Sequence, residues 1–433
     1  MQVPVNVGDH RDAHRSGRSL AKAVGGLALV AAWVAAAVFL SRTKVPRLNL
    51  PNVEASDYFP PAELERIDAF RTATRSLWLG ATTVELVVLG LVVWKARPLA
   101  ALVARGVRGR VRTAVVVGLV TLTAVWLSVL PVDAASHWWR RRYGLSGQGY
   151  EGWLRDEMVS LGVRAVLVSV AVAGAVTLAT RLGRRWWLAG APALVLVGVV
   201  LVLAQPLVIE PLFNRFAPLP DRRLARDVEA LARRMHVRIE TVQVTDASRR
   251  TTAPNAYVAG IGPTRRVVFY DTILDGRFSN DELVAIAAHE LAHVGRRHIW
   301  KGLGWFALLA VPGVALVAAV TDRRGGLRDP ALVPLALLVG VAFALVTLPL
   351  QNAVSRRYEA EADWLALSAT RRPETVVALE RRLVLTSLGD PDPPAWTRVV
   401  LATHPPAVER IAMAKEFERL EEPSRREAAR GGS

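Results

Sequence analysis

The sequence predicts a mainly α-helical, multi-pass membrane protein of about seven spans that carries a small α+β domain outside the bilayer. Three observations predict it. The 433 residues are 52% hydrophobic, with a mean hydropathy of +0.26, and the apolar residues gather into long blocks rather than amphipathic stripes. One polar insert, from Glu210 to His298, and one polar tail interrupt those blocks. Within the insert, His289, Glu290 and His293 fall together in a chain that has only eight His.

Crossing a hydrocarbon core takes roughly 18 or more apolar residues in a helix. Seven segments reach or approach that length: Leu20–Leu40, Leu77–Trp94, Ala114–Leu130, Leu161–Thr180, Leu188–Ile209, Gly302–Val320 and Ala331–Leu350. A soluble fold would need amphipathic covering elements, and little sequence is left to supply them. The first segment follows a basic stretch but shows no small-x-small cleavage site and is long for a signal, so it reads as a retained span. Between the first two spans, "PNVEASDYFPPAELERIDAF" reads as an extramembrane loop with a short helix. In the insert, Leu224, Val228, Leu231 and Met235 recur at helical spacing. "VRIETVQVTD" then alternates as a strand. "NAYVAGIGPTRRVVFYDTIL" reads as a β-hairpin around a Gly-Pro turn. Asn280 or Asp281 offers an N-cap to a helix that turns Leu283, Ile286 and Ala287 inward. After the last span, "QNAVSRRYEAEADWLALSATR" continues as a helix.

Composition narrows the chemistry. With no Cys, disulfides, thiolate metal sites and a Cys nucleophile are excluded, and any metal site must use His and carboxylates. The net charge of +17 is spread as Arg through the loops between spans. That is the pattern of membrane lipid contact and topology, not of nucleic-acid binding. The loop charges conflict over orientation.

His289-Glu290-Leu291-Ala292-His293 is an HExxH sequence. Residues four apart share a helix face, so both imidazoles reach one metal with Glu290 beside it as general base. Two His and a Glu on an otherwise apolar face are costly to bury without such a partner. A catalytic zinc takes three protein ligands and leaves a position for water. His298, five residues past His293, is rotated off that face and is a poor ligand. Glu359 and Asp363 share a face by i,i+4 spacing, Glu361 points elsewhere, and spacing leaves Glu359 and Asp363 both open. If both ligand stretches stay helical, each ligand lies within roughly 10–14 Å of a span's end, putting the metal at the membrane face.

In order, "PLFNRFAPLP", "VTDASRRTTAPNAYVAG", "RRVVFYDTIL", "HELAHVGRRH", "RRYEAEAD" and "THPPAVERI" resemble the type I CAAX prenyl endopeptidases, seven-span membrane zinc proteases. The resemblance is close from about Glu210 to Ala414, and the five earlier spans match in number and placement. It implies a zincin-like catalytic domain, the HExxH helix plus a short hairpin, with the spans set around a water-filled chamber. It makes Glu359 the third ligand of one Zn2+ per chain and puts Asp363 and Arg410 beside the site. His404 would stabilise the developing oxyanion, and Asn255, Ala256 and Tyr257 would line the cleft and hold extended substrate. His298 also matches a family position. Glu85, midway along the second span, should not face lipid and is expected to line the chamber.

The expected organisation is thus a five-span domain (1–209), a catalytic insert (210–298), two spans (299–350), a helical segment with the third ligand (351–420) and a disordered tail (421–433). The expected function is a zinc-dependent endopeptidase of the cell membrane, its site at the cytoplasmic face by the resemblance. A transporter or scaffold with a structural zinc is the alternative; Glu290 disfavours it, since a structural site has no use for that carboxylate. Prenylated CAAX proteins are the substrates of the eukaryotic family, but nothing in this sequence reads a prenyl group. The Arg-over-Lys, Ala/Val-rich composition suggests a bacterial chain, so membrane-associated or misfolded polypeptides are the expected substrates.

Overall fold

The computed structural model describes residues 27–430. The chain divides into two compact units between Thr43 and Lys44, and each is taken by itself. The first contains an apolar helix, α1 (Leu27–Leu40); residues 20–26 of the span expected there lie outside the described residues.

The second unit opens with α2 (Pro61–Trp94), α3 (Ala96–Gly106), α4 (Arg110–Arg142), α5 (Tyr150–Leu182), α6 (Trp187–Ala204) and α7 (Glu210–Phe213), the last two joined by a π-turn, Gln205–Ile209. Next come β1 (Phe216–Pro218), α8 (Arg222–Arg234), β2 (Thr241–Thr245), β3 (Ala256–Ala259), β4 (Arg266–Tyr270) and α9 (Asn280–Gly295). The chain ends in α10 (His298–Asp322), α11 (Val333–Thr370), α12 (Pro373–Ser387), α13 (Ala395–Val400) and α14 (Ala407–Arg430).

Among the described residues, six helices are long and apolar enough to cross a membrane: α2, α4, α5, α6 with its extension, α10 and α11. In lipid a helix satisfies its backbone polar groups internally, which is why these apolar runs take that form. They overreach the bilayer. The 34 residues of α2 make about 51 Å of helix, against a hydrocarbon core of about 30 Å. The expected segments are therefore only parts of the longer helices: Leu77–Trp94 is the C-terminal half of α2, and Ala331–Leu350 covers the N-terminal half of α11. The separate short helix expected before the second span is instead the first turns of α2, with Pro61 at its start, where a missing N–H costs nothing. Position 350, expected to end a span, is interior to α11.

These six helices follow one another around a closed cycle, α2 on α4, α4 on α5, α5 on α6, α6 on α10, α10 on α11 and α11 on α2. One end of the cycle is drawn together by a core that includes Ala114, Val117, Val176, Trp186, Ala318 and Val333. The other end carries the extramembrane domain.

That domain has a four-stranded sheet in the order β1-β2-β4-β3, with β2 and β4 parallel and the outer pairs antiparallel. The expected hairpin is β3–β4; Gly260 turns it at φ +85°, and a Cβ there would meet Thr264 O at 2.2 Å. Strand β1, three residues ending in Pro, was not legible as a strand. The sheet packs on α8 and α9 through Val228, Leu231, Phe269, Ile286 and Leu291, and the same core takes in Leu367, Leu379 and Phe417 from α11, α12 and α14. Residues 210–298 and 351–420 thus share one core. The stretch expected to be a disordered tail from 421 continues α14 to Arg430, an Arg/Glu/Ala-rich run of good helix formers; residues 431–433 lie outside the described residues.

Candidate metal centre

Helix α9 presents the HExxH residues. Its N-cap is Ser279, not Asn280 or Asp281: the Ser279 hydroxyl accepts from Glu282 N, and the Glu282 carboxylate accepts from Ser279 N at 2.7 Å, a capping box. Leu283, Ile286, Ala287 and Leu291 fix the other face in the core. Helix α11 leaves its apolar stretch without a break and delivers Glu359 and Asp363 to the same place. The α9 arm does break. Arg297 adopts φ +56°, so α9 ends at Gly295 and α10 starts anew at His298, contrary to the continuous helix expected there.

The break turns His298 back towards the site. His289 Nε2 and His293 Nε2 lie 3.1 Å apart, and Glu359 Oε2 is 3.2 Å from the first and 3.6 Å from the second. A tetrahedral ion with ligands at 2.0–2.1 Å separates them by about 3.3 Å, so these three atoms match the edges of a zinc tetrahedron. Glu359, not Asp363, is the acid that joins the two imidazoles in this group.

Both imidazoles are held with their inner nitrogens bare. His289 Nδ1 donates to Asp363 Oδ1 at 2.9 Å. Asp363 is in turn clasped by Arg410, Nη2 to Oδ1 at 2.6 Å and Nε to Oδ2 at 2.9 Å, and Arg410 reaches on to Glu380 at 2.9 Å. His298 Nε2 donates to Glu361 Oε2 at 2.9 Å, leaving its Nδ1 to accept from His293 Nδ1 at 2.9 Å. Each chain ends on a carboxylate that fixes the tautomer, the arrangement a metal-binding histidine uses. Burial alone would lower the His289 pKa, but Asp363 and Glu359 outweigh it and raise it to about 10.

Glu290 faces a cleft of about 140 Å³ that also borders His289, Asn255, Ala256 and His404. Burial pushes its carboxyl above the usual carboxylate range, the direction a base working near neutrality needs. His404 comes from the turn before α14; its Nε2 is 3.1 Å from Glu359 Oε2, and its side chain is 58% exposed, on the solvent side of the group. Asn255 and Ala256 reach the cleft at the sheet's edge strand. Tyr257, one residue on, points the other way and bonds Glu210 at 3.3 Å, as strand alternation requires. Glu85 lies on α2, away from this group, and interacts electrostatically with Arg164 of α5.

Two residues escaped the sequence. Glu361 was set aside as pointing elsewhere; it is fully buried and also accepts from Arg296 Nε at 2.6 Å and Lys44 N at 2.7 Å, pinning the α9–α10 break. Glu380 holds Arg410 from α12 and had only one signal, a lone acid on an apolar face.

Two family models match the chain in tandem: CAAX prenyl protease N-terminal, five membrane helices, over residues 40–215, and peptidase family M48 over residues 218–418. The first stretch here holds α2, α4, α5 and α6, with α1 ending where the match begins. An uncharacterised metalloprotease of Bacillus subtilis, YhfN, is 29% identical over 68% of this chain and 72% of its own length. The CAAX prenyl protease 1 homolog of Arabidopsis thaliana is 33% identical over 50% of this chain, and the chain spans about half of that relative (53%). The crystal structure of S. mikatae Ste24p superposes with a TM-score of 0.75 over 87% of this chain and 93% of that one, at 19% identity, which shows the fold.

Proposed function

We propose that the chain, which the peptidase family M48 model matches over residues 218–418 behind a five-helix CAAX prenyl protease N-terminal region, is a multi-pass membrane metalloprotease in which His289, His293 and Glu359 hold one Zn2+ and Glu290 is its general base. The observation that carries this reading is the convergence of two imidazole nitrogens and one carboxylate oxygen at tetrahedral spacing, beside a cleft with a free carboxylate.

A divalent metal held by these three residues would lower the pKa of a water and polarise the scissile carbonyl. Glu290 takes the proton of the attacking water and later delivers it to the leaving amine. His404 Nε2 donates to the oxygen on which negative charge develops, from the open side of the group where a carbonyl enters. Asp363, anchored by Arg410, and His298, anchored by Glu361, orient the two imidazoles. Ala256, which opens the edge strand β3 just after Asn255, offers backbone to an extended polypeptide. A structural zinc would need none of Glu290, the cleft or the edge strand.

The substrate is a polypeptide. Membrane-associated or misfolded chains suit a site carried a few turns above the spans on α10 and α11. Glu85 lines a wet chamber inside the cycle of helices. The protein resides in the cell membrane with the site on the cytoplasmic side, an assignment supported by the family resemblance. The test is proteolysis of an unfolded polypeptide by the purified protein in detergent. Glu290→Gln should keep the zinc and lose at least 100-fold in rate, the span of a positioned base. An unchanged rate in that variant would remove Glu290 from the chemistry.

A further inference from the structure

Beyond the protease site, two adjoining cavities lie where α10 meets the extramembrane domain. One, of about 390 Å³, is walled by Arg238, Arg265 and Arg297, with His236 and the outer side of His293. The other, about 490 Å³, is walled mainly by apolar side chains of α6 and α10, Leu201, Val202, Leu303 and Phe306 among them, with Tyr257 and the Arg266-paired Glu210 at its edge. Gly260, Ile261 and Ile299 border both, so the polar and apolar cavities are immediate neighbours. Each volume falls within the roughly 300–1,000 Å³ of small-molecule sites.

The charge of the first cavity is unanswered. No carboxylate lines it, and none of its three arginines makes an ion pair among the described residues. Their neighbours do: Arg266 pairs with Glu210 at 3.3 Å and Arg296 with Glu361 at 2.6 Å. Arg265 is half-buried, which lowers its pKa, and its guanidinium donates only to a carbonyl, Arg238 O at 2.9 Å. The position is also informative. Ile299 and Trp300 are exposed on the first turn of α10, where its apolar stretch begins, the level at which aromatic residues mark the membrane interface.

We propose that this pair of cavities binds one anionic phospholipid of the bilayer, its phosphate among Arg238, Arg265 and Arg297 and an acyl chain between α6 and α10. Basic recesses at the membrane surface recognise anionic headgroups in this way. The lipid would lie against the back of His293 and the Arg297 turn, bracing the α9–α10 break from the membrane side.

Native mass spectrometry of the full-length protein in detergent tests this, with phosphatidylglycerol and phosphatidylcholine of identical chains as probes. One phosphatidylglycerol per chain should bind in preference to phosphatidylcholine. Arg238→Gln with Arg297→Gln should weaken it roughly thirty-fold, from about 1 kcal/mol per arginine, and leave phosphatidylcholine unchanged. Arg238→Lys with Arg297→Lys should retain it. Gly302→Leu, at a position with no atom within 4 Å of an added Cβ, should fill the apolar cavity and weaken both lipids. Gel filtration and thermal unfolding establish that each variant is folded. Equal affinity for the two lipids, or a preference indifferent to both arginines, would overturn the proposal. So would a soluble Glu-rich peptide that binds wild type as tightly as phosphatidylglycerol, since the recess would then belong to the polypeptide path.

Discussion

Replacing Asp363 by Asn isolates what its charge does for the metal centre. Its Oδ1 takes the His289 Nδ1 proton at 2.9 Å while both oxygens hold Arg410. Asn is the same shape and keeps one acceptor for His289, but it presents an amide N–H to a guanidinium that cannot be deprotonated. Partners of metal-ligating histidines are worth 10–100-fold in metal affinity. Because an acceptor survives, Asp363→Asn should sit near the lower end, about tenfold or 1.4 kcal/mol, and Asp363→Ala near the upper, about 100-fold. The fold should lose stability as well. Asp363 is 7% exposed, and breaking a buried ion pair costs about 3–5 kcal/mol. Arg410 keeps Glu380, which places the loss near 3. Zinc affinity is read by competition with a chelator of known affinity, and stability by unfolding in excess chelator, where bound metal cannot mask it. If both variants bind zinc within twofold of wild type, Asp363 does not orient His289 and the bracing described here is wrong.

The same reasoning extends to three other positions. His404→Ala should retain zinc and lower kcat by about 10²–10³, the usual worth of one donor to a developing oxyanion; a change confined to KM would instead make it a substrate-binding group. Glu361→Ala removes a buried acceptor shared by His298, Arg296 and Lys44 N, so unfolding should become easier by about 3–5 kcal/mol and zinc should weaken through His293; unchanged stability would sever Glu361 from the site. Gly260→Ala forces a side chain into φ +85° and against Thr264 O, which should cost about 1–3 kcal/mol of strain without altering zinc stoichiometry, measurable by thermal unfolding and metal analysis together.

The parts of the site that were legible are those set by local periodicity. His289 and His293 share a face because four residues make about one turn, and the capped, apolar α9 guarantees that turn. The strand pattern of "VRIETVQVTD" and the hairpin around Gly260 were equally local. Spacing left Glu359 and Asp363 equivalent, because choosing between them depends on how α11 rolls against α9, a long-range packing fact. Gly295 hints at a helix end, but the residue that takes the left-handed turn is Arg297, held there by Glu361, and nothing in a one-dimensional pattern announces that. Glu361 itself was invisible for the same reason, since its partners come from Lys44, Arg296 and His298. The spans were underestimated because hydropathy reports only the lipid-facing part of a helix, whereas α2 begins well before its apolar stretch and α11 runs on well past its own.

The central claim is that α9 and α11 together hold one zinc. Metal content of the detergent-purified protein, wild type beside Glu359→Ala, tests it most directly. The account predicts about one zinc per wild-type chain and a large loss in the variant at equal fold. A well-folded wild type without zinc would contradict the metal centre altogether, and zinc retained by Glu359→Ala would contradict the ligand set and turn attention to Asp363.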